Sequence, residues 1–255
     1  MLQNSFIEFS NTLPYNCQRM TKQTIDIVLP AYHEQENIQK VITDINKYVK
    51  TPHIITVVIQ EKRDRTLEIV KELQKSVKNI TIVFTQNGRG MLKALKKGFT
   101  STKNPIITIM MADLSDNPKD IDKMVHKIND GFDLVCGARY IRNGKRIGGP
   151  KVKGFLSYIA CMSLNKLIGL PTNDATNAFK CFRRSLLEQI TIESKEGYEF
   201  PLEITVKAFK KGLKITDVPT IWKEREKGES KFHLVRDIPL YLRWYLYGIF
   251  TEKQS

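Results

Sequence analysis

No uninterrupted apolar run in this sequence approaches the ~18 residues that a membrane-spanning helix needs, which argues against a helical span. Its beginning lacks the basic-then-apolar order of a signal peptide, which predicts a chain retained in the cytosol. Cysteine is sparse. Cys17, Cys136, Cys161 and Cys181 show no CxxC or Cys/His ligand spacing, so free thiols are expected rather than a disulfide frame or a zinc site. Helix-turn-helix, zinc-finger and RRM signatures are missing as well, leaving nucleic-acid binding without a specific basis.

The 255 residues carry an ordinary apolar fraction, enough to bury a full core in one domain with an appended segment. The formal charge is +14, which suits anionic partners: nucleic acid, a membrane surface or phosphorylated substrates. Charge alone does not choose among them.

Residues 1–23 mix Asn, Gln, Pro and Thr without a period and read as a poorly ordered extension, with Met20 an alternative start. An α/β rhythm follows. Residues 25–29 form a strand closed by Pro30-Ala31-Tyr32-His33-Glu34, and Ile38, Val41, Ile42, Ile45 and Val49 recur at helical spacing over 34–49. A strand at 54–59 leads through a charged turn to a helix bearing Leu67, Ile69, Val70 and Leu73, with Asp64 as its N-cap. A third strand, 80–84, precedes Gln86-Asn87-Gly88-Arg89-Gly90 and a helix through Leu92, Leu95 and Phe99. Gly88 and Gly90 either let the backbone approach a bound group or simply tighten the turn.

Residues 106–115 read as a buried strand that runs out of apolar residues and delivers one carboxylate, Asp113. At the carboxyl edge of a parallel sheet that acid either holds a metal ion or polar substrate, or caps the turn before Asn117-Pro118. A helix at 118–129 and a strand at 133–138 complete the alternation. The expected fold is α/β, a mostly parallel sheet with helices on both faces and a ligand crevice along the edge where these turns lie.

After Ala138 the rhythm breaks. Residues 139–153 hold six cations in a glycine-containing loop, fit either for phosphate binding or for simple solvation, and an apolar helix spans 155–168. A helix at 199–211, a strand at 214–218 and a second charged turn at 222–231 follow. The aromatic stretch 238–250 is too short to cross a bilayer; it either lies in the membrane interface or docks on the core as a helix.

In this order the segments resemble family-2 glycosyltransferases of GT-A fold, most closely the dolichyl-phosphate or polyprenyl-phosphate mannosyltransferase branch. The likeness runs from about residue 25 to 231. It rests on Pro30, Tyr32, Glu34, Asn37 and Ile38, which match an opening P-x-Y-N-E-x-x-N-I with His33 for Asn. It continues through Asn87-Gly88-Arg89-Gly90, Met111-Ala112-Asp113-Leu114-Ser115 and Gly137-Ala138-Arg139-Tyr140. Asp174-Ala175-Thr176-Asn177-Ala178-Phe179-Lys180, Gly197-Tyr198-Glu199-Phe200 with Glu203, and Val218-Pro219 with 225–231 complete it.

The resemblance implies a GT-A (Rossmann-like) domain over 24–231 with a C-terminal helical extension over 232–255. It implies inverting transfer of mannose or another hexose from a nucleotide-sugar to a polyprenyl phosphate, assisted by Mg2+ or Mn2+, at the cytoplasmic face of a membrane. It leaves open a membrane-anchoring partner subunit. Pro30, Tyr32 and Glu34 would line the nucleotide pocket, and Asp113 would bind the metal with Ser115 beside it. Arg139, Lys153 (where the family usually has Arg), Ser157, Arg225 and Lys231 would form the basic site for the acceptor phosphate and the donor diphosphate.

Two departures fall on the donor side. The family's Asp-Asp-Gly-Ser-x-Asp-x-Thr corresponds here to residues 59–66, which keep only Asp64 and Thr66 and place Gln60 where the nucleoside-binding acid belongs. The first Asp of its Asp-x-Asp is Met111. A non-catalytic relative that binds lipid phosphate or a partner enzyme is therefore the alternative.

Overall fold

The structure is a computed structural model and describes residues 23–85, 88–225 and 234–253. The expected N-terminal extension, apart from its last residue, lies outside these, as does Lys231.

Strand β1 (Ile25–Ala31) is at the centre, paired in parallel with β2 (His53–Ile59) on one side and β4 (Ile106–Ile109) on the other. Strand β3 (Ile80–Phe84) extends the sheet beyond β2. On the far side β5 (Leu134–Ala138) and β8 (Ile215–Pro219) run parallel to each other. Between β4 and β5 lies β7 (Lys180–Arg183), antiparallel to both. The order β3-β2-β1-β4-β7-β5-β8 is thus a mostly parallel seven-stranded sheet, as expected.

Every residue of β1 is buried because both faces are covered. Ile25, Ile27 and Leu29 join the layer under α1 (Ile38–Tyr48), α2 (Arg65–Ser76) and α4 (Ile121–Asn129). Val28 joins the opposite layer under α3 (Met91–Ser101), α5 (Lys151–Ile168) and α7 (Phe200–Lys210). Each fully buried side chain of this size contributes about 1.5–3 kcal/mol. Helix α3 reaches the sheet at Gly98, where an added Cβ would lie 2.4 Å from a Val28 methyl.

Several elements depart from the expectations. Strand β4 ends at Ile109; Met110 still donates its N–H to Val28 O at 3.1 Å, and the chain then turns. The cationic segment 139–153 is not all loop. It holds β6 (Lys145–Ile147), paired in parallel with β9 (Ile221–Lys223), and the first turn of α5, opened by Pro150 with φ near the helical value. Strand β7 and the short α6 (Ser185–Gln189) have no periodic signal, since four or five residues are too few to show one.

The terminal helix α8 (Leu234–Phe250) packs on α5 and α7 and buries Trp244. Its other face, with that of α5, stays open: Phe155, Leu167 and Phe250 are 62%, 64% and 79% exposed.

Candidate active site

The carboxyl ends of β1, β2, β4 and β5 enclose a cavity of about 790 Å³. Pro30, Tyr32, Glu34, Gln60, Gly90, Asp113, Ser115, Arg139, Lys153, Ser157 and Arg225 all line it. Gly88 does not, and Lys231 lies outside the described residues.

The wall after β1 is set by the turn at its end. His33 adopts φ 59°, and its N–H donates to Asp64 Oδ2 at 2.8 Å, while Glu34 N–H donates to Thr66 Oγ1 at 2.9 Å. Asp64 Oδ1 also caps α2 through Thr66 N–H at 2.8 Å. Asp64 and Thr66 thus hold Tyr32 and Glu34 at the cavity from behind. Tyr32 in turn accepts a hydrogen bond from Arg89 Nη1 at 2.7 Å, and Arg89 Nε lies 2.7 Å from Glu61. Gln60 Oε1 accepts the N–H of Gly90, a residue at φ 138° where a side chain would be strained.

The wall after β4 carries the acids. Leu114, at φ 64°, folds the turn so that Asp113, Ser115 and Asp116 face one cavity. Asp113 Oδ1 accepts Ser115 N–H at 3.1 Å, and its Oδ2 lies 2.5 Å from Arg225 Nη2. Arg225 Nη1 is 3.8 Å from Glu34 Oε1. Asp116 Oδ2 accepts Met111 N–H at 2.9 Å; burial pushes its carboxyl up to about 7, with the negative Asp113 a smaller contribution in the same direction.

The cations stand across from these acids. Arg139 is the one whose situation differs most from expectation. It grips the fully buried Asp174 through Nε at 2.7 Å and Nη2 at 2.8 Å, and Nη2 also reaches Thr176 and Ser157. Ser157 and Thr176 lie 2.6 Å apart, and Tyr140 donates to Ser157. Arg139 therefore organises this corner rather than standing ready for a phosphate. Burial holds the Lys153 ammonium below the usual lysine range; Glu224 opposes that shift, and Arg139, Arg146 and Arg225 add to it. Arg146 and Arg139 both stack on Trp222, at 5.3 and 6.0 Å from its ring centroid.

The motif acids Glu199 and Glu203 serve the backbone. Glu199 accepts the N–H groups of Lys195, Glu196 and Gly197 at 2.6, 3.1 and 2.9 Å, and Glu203 those of Glu193 and Ser194 at 2.6 and 2.8 Å. They fold the loop that sets Gly197 and Tyr198 on the cavity wall.

Sequence reasoning missed Asp116, Trp222, Arg236 and Tyr241 as cavity residues and read Arg146 only as one of the six cations of 139–153. The spacing Asp113-x-x-Asp116 was a usable signal. Arg236 and Tyr241 gave none, because only tertiary packing brings α8 to the turns at the carboxyl edge of the sheet.

A Rossmann-like sheet with one antiparallel insertion, and a cavity at its carboxyl edge lined by opposed acids and cations, is the architecture of the GT-A fold. The chain belongs to glycosyl transferase family 2, whose family model matches residues 26–191. It is 26% identical over 231 residues to a dolichol-phosphate mannosyltransferase of Pyrococcus furiosus, covering 86% of this chain and 64% of that one. It therefore spans somewhat less than two thirds of the length of that relative. It is 27% identical over 224 residues to a polyprenol monophosphomannose synthase of Mycolicibacterium smegmatis, covering 84% of this chain and 82% of the relative. Among solved structures it is similar in fold to glucosyl-3-phosphoglycerate synthase from Mycobacterium tuberculosis in complex with Mn2+, uridine-diphosphate and glucosyl-3-phosphoglycerate. The TM-score there is 0.64 at 19% identity, covering 91% of this chain and 82% of the other.

Proposed function

We propose that the protein transfers mannose or another hexose from a nucleotide-sugar to a polyprenyl or dolichyl phosphate, with inversion, while resting on the cytoplasmic face of a membrane. The observation that carries this reading is the wall shared by the cavity and the apolar face. Leu156 and Ile159 of α5 and Ile238 and Leu242 of α8 line the cavity and are 40–50% exposed, on the same two helices as the exposed Phe155 and Phe250. A phosphate carried on an isoprenoid chain fits that junction: its head among the cations, its chain along the helices. No helix among the described residues is long and apolar enough to cross a membrane, so surface attachment, alone or through an anchoring partner subunit, is the form of association proposed.

In this reading Lys153, Arg146 and Arg225 draw the anionic groups together, and Arg139 with Asp174 keeps Ser157 and Thr176 in place. Tyr32, Gln60 and Gly90 form the nucleoside side, with Lys231 assigned to the basic site for the acceptor phosphate and donor diphosphate by resemblance alone. The acceptor phosphate is already ionised near neutral pH, so an oxygen attacks the anomeric carbon without a general base. That oxygen–carbon bond forms as the bond to the diphosphate breaks, and the nucleoside diphosphate departs with the electron pair. The cations stabilise the charge that develops.

The residues fit a divalent cation. The donors on the acid wall are hard carboxylate and hydroxyl oxygens, and Mg2+ or Mn2+ characteristically takes one or two carboxylates plus substrate phosphates and water. Asp113 would hold it, and when bound the ion would supply neutralisation of the leaving diphosphate.

Incubating the protein with polyprenyl phosphate and a panel of nucleotide-hexoses, and following glycolipid by mass spectrometry, tests the reading. Product with at least one donor is expected. Absence of product with every donor, with and without Mn2+, would reject it.

A further inference from the structure

Among the described residues the buried acids are, with one exception, well satisfied. Asp26 receives Arg184 and Asn104, Asp174 receives Arg139, and Asp120 receives Lys123 and Thr220. Glu199 and Glu203 accept several backbone N–H groups each. Asp116 is the exception. It is 6% exposed, one oxygen accepts a single backbone N–H, and among the described residues neither a cation nor a donor reaches the other oxygen. A carboxylate left this way is costly to keep charged, so it either holds a proton or is completed by a cation from outside.

Its position says what that is. The residue lines the donor-side cavity together with Asp113 and Ser115, on the same turn. Two residues before Asp113 stands Met111, whose soft thioether is a poor ligand for Mg2+ or Mn2+. The turn that puts Met111 at that position also donates Met111 N–H to Asp116 Oδ2 and so fixes the Asp116 carboxyl.

Building on the donor reading above, we propose that Asp116 is the second protein carboxylate for the divalent cation of a nucleoside diphosphate. It compensates for the thioether at position 111. Asp113 supplies the other carboxylate once Arg225 has moved from it to the diphosphate. The ligand class is a hard divalent cation carried on a diphosphate, and the acid pair is separated by two residues rather than one.

The test is Mn2+ binding, read by loss of the free-ion EPR signal, with UDP and with GDP as probes, followed by calorimetry of the same nucleotides in EDTA. Asp116→Asn retains an acceptor for Met111 N–H, so the turn is preserved. It is expected to weaken Mn2+ by about tenfold or more and to leave metal-free nucleotide affinity within about twofold. Asp116→Cys adds a readout that a structural role would not move. Its thiolate is expected to lose Mn2+ and to bind Cd2+ about tenfold more tightly than the wild-type protein does. Mn2+ affinity unchanged in Asp116→Asn, or no Cd2+ gain in a folded Asp116→Cys, overturns the assignment and leaves the donor reading intact. If the wild-type protein binds neither nucleotide with Mn2+, the donor reading fails and this assignment with it.

Discussion

Arg225 Nη2 lies 2.5 Å from Asp113 Oδ2, joining the segment after β9 to the turn after β4 across the floor of the cavity. The guanidinium also faces Glu34 at 3.8 Å, so one cation spans the acids at the ends of two neighbouring strands. A diphosphate with its metal brings both a better anion for Arg225 and a better cation for Asp113. The pair is therefore an arrangement that ligand binding exchanges, not one it preserves.

Arg225→Ala separates the two halves of that exchange. Mn2+ alone is expected to bind more tightly, because Asp113 no longer has a resident counter-charge. Nucleoside diphosphate is expected to bind about tenfold or more weakly, since a charge-assisted contact is lost. Calorimetry with Mn2+ alone and with Mn2+ and nucleotide measures both. If neither affinity moves, the contact has the small worth of an ordinary surface ion pair.

Lys153 supplies a pH dependence. Burial lowers its pKa, so the charged form that an anion needs is lost as pH rises, and lost before an ordinary lysine would lose it. Binding of a phosphate probe is expected to fall on the alkaline side, and Lys153→Arg should hold it to higher pH because guanidinium does not deprotonate there. Binding of polyprenyl phosphate in detergent, measured from pH 7 to 10 on both proteins, decides it. Identical alkaline limbs would remove Lys153 from the anion site.

The outer face of α5 and α8 gives a third expectation. Phe155 and Phe250 are 62% and 79% exposed and do not line the cavity, so they can be changed without touching the nucleotide side. Phe155→Ser combined with Phe250→Ser should reduce partition onto phosphatidylglycerol/phosphatidylcholine vesicles by about tenfold or more, from the apolar burial lost. Nucleotide affinity serves as the control. Unchanged partition in flotation would mean that this face does not meet the bilayer.

Much of this architecture was legible in the sequence because its strands and helices each repeat a pattern long enough to read. Ile25 to Leu29 and Ile38 to Val49 announce a covered strand and an amphipathic helix, and Asp64 announces the cap of α2. The elements that were not legible are short or depend on partners distant in sequence. Lys180 at the start of β7 is fully buried beside Cys136, a polar residue in a strand that offers no alternation to see. In the cavity the acids and cations were visible as residues, but not their pairing. Nothing in the sequence shows that Arg139 is tied to Asp174, thirty-five positions away, or that Asp116 faces the site while Gly88 does not.

The Arg139–Asp174 pair leads to the largest expected effect on stability. Asp174 is fully buried and takes three hydrogen bonds from Arg139: its backbone N–H at 2.9 Å, Nε at 2.7 Å and Nη2 at 2.8 Å. Two desolvated charges in this geometry offset each other's cost, yet neither tolerates loss of its partner. Asp174→Ala leaves a buried guanidinium without a counter-charge and is expected to cost about 3–5 kcal/mol in urea denaturation. Joining Asp174→Leu to Arg139→Met removes both charges and is expected to recover most of that stability, because the penalty belongs to the unpaired ion rather than to the missing bond. The double variant should remain poorly active all the same, since Ser157 and Thr176 lose the guanidinium that aligns them. A double variant as unstable as Asp174→Ala would show instead that shape, not charge pairing, holds this corner together.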